Sequence, residues 1–205
     1  MDIKMDKCVD LWESIADEVR SIIVLGAIRT GKTSLVYHIL SHMKRPVFVY
    51  KHPKPELIEA LGYHQMYGLG EVESMQDCVI WIDEPDVYFP AYDKQVNHTL
   101  IKLLSLCGQR GITLIISTSN DRFVQKSIEA YVECWCLKNL DFRSLKNGSQ
   151  PKRIVLDNVY LNIDGFALSN NEYLLYCPRF KQFNGRRSFK PVEFFTDEYS
   201  KPYRL

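Results

Sequence analysis

Gly26-Ala27-Ile28-Arg29-Thr30-Gly31-Lys32-Thr33 decides the fold. The octet fits G-x-x-x-x-G-K-[ST], a loop whose backbone N–H groups cradle phosphates. Its lysine reaches the β- and γ-phosphates and its hydroxyl binds Mg²⁺. The flanks agree. Ser21-Ile22-Ile23-Val24-Leu25 is a short apolar run rich in β-branched residues, as a buried parallel strand requires. After the octet, Leu35, Val36, Ile39, Leu40 and Met43 recur at spacings of three and four, the apolar stripe of a helix. A strand, a tight glycine turn and a helix N-terminus, in that order, make an anion site. The nucleotide contacts expected are therefore Gly26, Ala27, Ile28, Arg29, Thr30, Gly31, Lys32, Thr33 and Ser34.

A second signal lies downstream. Cys78-Val79-Ile80-Trp81-Ile82-Asp83-Glu84-Pro85 reads as an apolar strand that ends in two acids, with Pro85 closing it. In phosphoryl-transfer sites an acid at such a strand end holds Mg²⁺, directly or through water, and Asp83 suits that role. The acid after it, Glu84, is placed to take a proton from an attacking water as general base. An acidic turn alone would be an ordinary solvated strand end; its position after a phosphate loop gives it meaning.

The remaining pattern is that of an α/β chain. Ile3, Cys8, Leu11, Trp12, Ile15 and Val19 give a helical stripe in an N-terminal extension, residues 1–20. Val47–Tyr50 is a second strand, Pro55–Leu61 a short helix opening on proline, and 62–76 is irregular. Val96–Cys107 forms a helix closed by Gly108 and Gly111, followed by an apolar strand over 112–118 and polar Ser119-Asn120-Asp121-Arg122. Asn120 is placed to sense a γ-phosphate. Residues 123–131 read as a helix and 132–137 as a strand with Cys134 and Cys136 on one side. The expected fold is a mostly parallel central sheet flanked by helices, with a core over 21–140. A C-terminal unit follows over 141–205. In it, strands at 153–162 and 171–177 form a β-hairpin, and a basic tail packs on the core. Residues 173–192 carry Arg179, Lys181, Arg186, Arg187 and Lys190, no acid, and interleaved Phe180, Phe183 and Phe189. Such a stretch can meet a phosphate backbone or a neighbouring subunit.

Composition bounds the rest. The 205 residues carry a formal charge of +1, so no global basic bias marks a nucleic-acid binder. The six cysteines form no C-x-x-C pair, which argues against a zinc ribbon and for a reducing interior. No apolar run approaches the ~20 residues of a membrane span, and no signal-peptide core is present, so a soluble, non-secreted protein is expected.

The order GAIRTGKT, VIWIDEPDVYFP, a helix ending in GQRG, ITLIISTSN and a strand near 132–137 resembles the FtsK–HerA superfamily of P-loop ATPases. Within it, the layout is similar to the small genome-packaging ATPases of membrane-containing icosahedral viruses. One strand between the phosphate loop and the acidic strand matches the additional-strand, catalytic-glutamate type. The resemblance covers roughly residues 20–138.

It implies an ATP-hydrolysing motor that translocates double-stranded DNA into a viral capsid, with ATP and Mg²⁺ as cofactors. It further implies a homo-oligomeric ring, capsid or membrane-vertex proteins as partners, and a place in the virion or host cytoplasm. The catalytic set it implies is Lys32, Glu84, Asn120 as sensor and Arg110 as arginine finger. Two departures stand out. The family's sensor glutamine is replaced by Ser119, with the Asn120 amide one position later. Gly108 stands where the family often has arginine, with Arg110 two positions on and Arg122 as the other candidate finger. Other readings are a phage assembly or secretion ATPase resembling zonula occludens toxin-like proteins, which usually carry a membrane span, and a P-loop small-molecule kinase.

Overall fold

Among the residues that the computed structural model describes (11–88, 94–119, 130–139 and 168–195), eight strands form one sheet. The strands are β1 (Ser21–Leu25), β2 (Val47–Tyr50), β3 (His64–Met66), β4 (Val79–Asp83), β5 (Thr113–Thr118), β6 (Cys134–Leu137), β7 (Glu172–Tyr176) and β8 (Gly185–Ser188). Their order across the sheet is β3-β2-β4-β5-β1-β6-β7-β8. The first six run parallel, while β7 is antiparallel to β6 and β8 to β7. The helices are α1 (Leu11–Ile15), α2 (Lys32–Ser41), α3 (Pro55–Ala60) and α4 (Lys94–Arg110).

The central strand β1 is buried at all five positions because both sheet faces are covered. Alternation sends Ile22 and Val24 to one face, where they meet Trp12 and Ile15 of α1 and Leu35, Val36 and Ile39 of α2. Ile23 and Leu25 point the other way, into a layer with Ile80, Ile82 and the α4 residues Leu100, Leu103, Leu104 and Cys107. Trp81 and Asp83 share the first face by the same alternation, so the acid ending β4 faces the side on which α2 begins.

Three details depart from the sequence expectation. The stretch 62–76 contains edge strand β3 and a 3₁₀ turn at Leu69–Ser74. Three residues paired to Phe48, Val49 and Tyr50 are too few to show a period. The hairpin among the described residues is β7 with β8, and β8 comes from the stretch read as a basic tail; residues 153–162 lie outside the described part. Finally, α4 runs through Gly108 and ends at Gly111, whose φ is +66°. Ile112 donates to the Cys107 carbonyl at 3.0 Å across that turn, closing the helix in a Schellman-type cap.

The two glycines should therefore respond oppositely. Gly111→Ala forces a side chain into left-handed geometry beside Asp77 and should cost about 1–2 kcal/mol. Gly108→Ala sits in open space inside the helix and should stabilise by up to about 1 kcal/mol. Chemical denaturation of both variants checks the pair of signs.

Candidate active site

The phosphate-type loop leaves β1 at the carboxyl edge of the parallel strands, where α/β sheets build their sites. Its backbone is anchored on both sides: Gly26 donates to the Thr118 carbonyl at 3.3 Å, and Ala27 to the Asn139 carbonyl at 2.9 Å. Inside the loop the Thr30 hydroxyl donates to the Ala27 carbonyl at 2.8 Å. Gly31, at φ +83°, turns the chain into α2. A Cβ there would lie 2.7 Å from the Asn170 carbonyl oxygen, so only glycine fits. Thr30, Lys32 and Ser34 are buried, while Ile28 and Arg29 face solvent.

Lys32 Nζ lies 3.1 Å from Glu84 Oε1 and 3.2 Å from the Ala27 carbonyl. The other oxygen of Glu84 accepts hydrogen bonds from Ser119, from its N–H at 2.8 Å and its hydroxyl at 3.0 Å. Glu84 itself has φ 40°, ψ 63°, a left-handed conformation for a residue that precedes proline. Its N–H donates to the Ser117 carbonyl at 2.7 Å, so contacts on both main and side chain over-determine the strained turn.

Asp83 is set by a separate chain of contacts. The register places it opposite Ser117, whose hydroxyl donates to Asp83 Oδ1 at 2.5 Å. Trp81 Nε1 in turn donates to the Ser117 hydroxyl at 2.8 Å. Burial raises the Asp83 carboxyl to about 6 from an ordinary 3.8, against the lowering effect of the Ser117 bond; the neighbouring Glu84 charge adds to the rise. A carboxylate pushed toward its neutral form is one that a cation would bring back to charge.

The residues fit a nucleotide and its metal ion. Ser34 Oγ is buried without a hydrogen-bond partner at the start of α2, where N–H groups and a positive dipole end converge. Glycines leave the cradle free of side chains, and among the described residues the buried Lys32 is held by Glu84 and a carbonyl. Thr33 and Asp83 supply the oxygen donors that suit Mg²⁺, which takes few protein ligands and keeps waters. Among the described residues there is no group of three or more His, Cys, Asp or Glu able to cage a metal.

The sequence of the ATPase family associated with various cellular activities (AAA) matches this chain over residues 22–133, more than half its length. The chain belongs to this AAA family. It is an ATPase with the P-loop fold, and no curated protein sequence matches it. Solved structures share that fold at low identity. B204, the DNA-packaging ATPase from Sulfolobus Turreted Icosahedral Virus, is 16% identical at TM-score 0.58, over 85% of this chain and 98% of that one. The genome packaging NTPase B204 from Sulfolobus turreted icosahedral virus 2 in complex with ATP-gammaS is 15% identical at TM-score 0.56, covering 86% and 98%. EssC (ATPases 2 and 3) from Geobacillus thermodenitrificans is 9% identical at TM-score 0.58, covering 89% of this chain and 42% of that one. The FtsK–HerA resemblance thus holds at the level of fold.

The ATPase brings Lys32, Asp83 and Glu84 together, with Thr33 opening the same helix. Asn120 and Arg122 lie outside the described residues. Arg110 is not brought to this cleft. It sits at the opposite edge of the sheet, before β5, where its guanidinium donates to the Val72 and Glu73 carbonyls. In the basic stretch several arginines have partners within the chain. Arg186 makes a two-pronged pair with Glu172 at 3.0 and 2.8 Å, Arg187 donates to the Phe183 carbonyl and Arg179 pairs with Glu18. Arg186, above all, pulls the Glu172 carboxyl down to about 2. Phe180, Phe183 and Phe189 pack on the protein's own core, so they form no stacking platform. Missed by the sequence reading were Ser117, Trp81, Ser119 and Lys138. Only the register of β4 against β5 makes Ser117 a partner of Asp83.

Asp83 yields a stability test. Its folded-state pKa lies above the unfolded one, so the charged form costs stability as pH rises through about 6, and the cost vanishes below about 4. Asp83 keeps some exposure, so Asp83→Asn should stabilise the ligand-free protein at pH 7 by about 1–3 kcal/mol, with no gain at pH 3.5. Melting curves of both proteins across pH 3.5–8 measure it.

Proposed function

We infer that the protein is an ATP-driven motor that translocates double-stranded DNA, packaging a viral genome as a ring of identical subunits. The observation that carries this reading is the extent of the likeness to B204, the DNA-packaging ATPase, 98% of which is covered. The site supports the ATP-hydrolysing half. Lys32 would hold the β- and γ-phosphates, Ser34 and the loop N–H groups the remaining oxygens, and Thr33 and Asp83 a Mg²⁺ ion. The metal supplies charge neutralisation on the transferred phosphoryl group.

Glu84 is the general base in this reading. Lys32 gains phosphate oxygens as partners and releases Glu84 Oε1, while Ser119 keeps the other oxygen in place. The released carboxylate can then accept a proton from water aimed at the phosphoryl group. Glu84→Gln should therefore retain ATP binding and lose roughly 10²–10⁴-fold in turnover. Equal turnover in the two proteins would put the base elsewhere.

DNA needs cations that are free to meet phosphates. Lys181 and Lys190 are exposed and carry no ion pair among the described residues, unlike Arg186. The test is ATP hydrolysis with and without double-stranded DNA, together with DNA affinity against salt. The motor reading expects DNA-stimulated turnover. It also expects the salt slope to fall by about one unit per contact removed in Lys181→Ala and Lys190→Ala. Hydrolysis indifferent to DNA, with no DNA affinity at low salt, would remove the motor reading and leave an ATPase of another task.

A further inference from the structure

Lys138 follows β6 and is fully buried. Lysine is almost never found so without a paired carboxylate. Here Nζ donates to the Asn170 carbonyl at 2.6 Å and the Glu172 carbonyl at 2.7 Å, and the Phe189 ring lies 4.9 Å away. All three partners are neutral. No carboxylate pairs with Lys138 among the described residues, because the Glu172 carboxylate is taken by Arg186. Among the described residues the ammonium is a buried cation without a carboxylate in contact with it.

Its location explains what could balance it. A Cβ placed on Gly31 would lie 3.6 Å from Lys138 Nζ, and one on Gly26 would lie 2.5 Å from Lys138 Cβ. Gly26 thus lies against this side chain, and Gly31 lies close to its Nζ, beside the Asn170 carbonyl that Nζ binds. The next residue, Asn139, accepts from the Ala27 N–H at 2.9 Å and clasps Leu168 through both ends of its amide. The ammonium backs the loop on the side away from solvent.

We propose that Lys138 is a positioning residue of the phosphate site, a second cation that acts through Gly31 and takes the bound polyphosphate as its counter-ion. The inference rests on the reading of residues 26–34 as the ATP site. It follows from charge balance: a nucleotide triphosphate brings several negative charges to the loop, and the low-dielectric surroundings of Lys138 screen them little. Lys138 also fixes the 170–172 turn that enters β7, so the same cation ties the loop to the C-terminal hairpin.

Among the described residues, the charged groups around Nζ are few. Cys136 lies on β6, its thiol pushed far up by burial, and Glu172 lies on β7 with Arg186 of β8 upon it. Lys32 follows Gly31 in the chain, and His38 of α2 stands behind Phe189 at 5.3 Å between ring centroids. Burial lowers the Lys138 ammonium to about 8, with Cys136 and Glu172 opposing the drop. In the ligand-free protein Lys138 is thus partly neutral above pH 8, and a polyphosphate in the loop favours its charged form. Nucleotide binding should take up a proton there.

The experiment is calorimetric titration with AMPPCP and Mg²⁺ at pH 8.5 in buffers of different ionisation enthalpy. It uses the wild-type protein, Lys138→Arg and Lys138→Met, with melting curves of each ligand-free protein. Wild type should bind with net proton uptake. Lys138→Arg, always charged, should bind without that uptake. Lys138→Met relieves the buried charge but loses the bonds to the Asn170 and Glu172 carbonyls, and its melting curve establishes that it is folded. Its nucleotide affinity should fall roughly tenfold, the scale of one charge interaction in a partly screened site.

Binding by wild type without proton uptake overturns the proposal, whether or not the variants fold. So does a folded Lys138→Met with wild-type affinity and wild-type proton uptake. A wild-type protein that binds no nucleotide would instead overturn the ATP site itself, and this inference with it.

Discussion

The ion pair between Lys32 and Glu84, 3.1 Å apart, ties the two halves of the site together. Lys32 is buried at the first turn of α2. A buried cation needs a partner at all times. In the ligand-free protein that partner is the carboxylate at the end of β4. In the proposed mechanism the charge that would attract phosphate also holds Glu84, and exchanging one partner for the other would link binding to chemistry. Everything else in the fold serves to keep β1, β4 and β5 in register so that this exchange can occur.

That support is layered. The order β4-β5-β1 puts the acidic strand one strand away from the loop strand, with β5 between them contributing Ser117 and Ser119. Ser117 links Trp81 to Asp83 by hydrogen bonds, so a core tryptophan helps to orient the carboxyl at the end of β4. On the far side of β1, the chain leaving β6 supplies Lys138 and Asn139 as a floor beneath the loop. The C-terminal hairpin then caps that floor through carbonyls and through Phe189. The cost of the site is visible in the Asp83 carboxyl held well above its ordinary range and in the left-handed Glu84. Strain of this kind is usual where chemistry, not stability, selects the geometry.

Much of this was legible in the sequence for a physical reason. Lys32, Thr33, Asp83 and Glu84 sit at ends of regular elements, and element ends are written in local patterns: an apolar run, then glycine or an acid. Strands β1, β2, β4 and β5 show themselves as short β-branched runs, and α2 by its apolar stripe. What stayed hidden depends on contacts distant in sequence. The Ser117 partner of Asp83 is 34 residues away, and Lys138 reaches carbonyls 32 and 34 residues on. A three-residue edge strand such as β3 has no period to read. The basic tail misled because arginines without nearby acids look free, whereas Glu172 and Glu18 reach Arg186 and Arg179 only through the fold.

The most direct measurement is steady-state ATP hydrolysis by the purified wild-type protein and by Lys32→Ala, each with Mg²⁺ present. If phosphate and Glu84 share Lys32 in turn, the wild-type protein turns over and the variant does not, because neither partner is then held. Turnover by Lys32→Ala equal to wild type would contradict that claim and detach the loop from the chemistry.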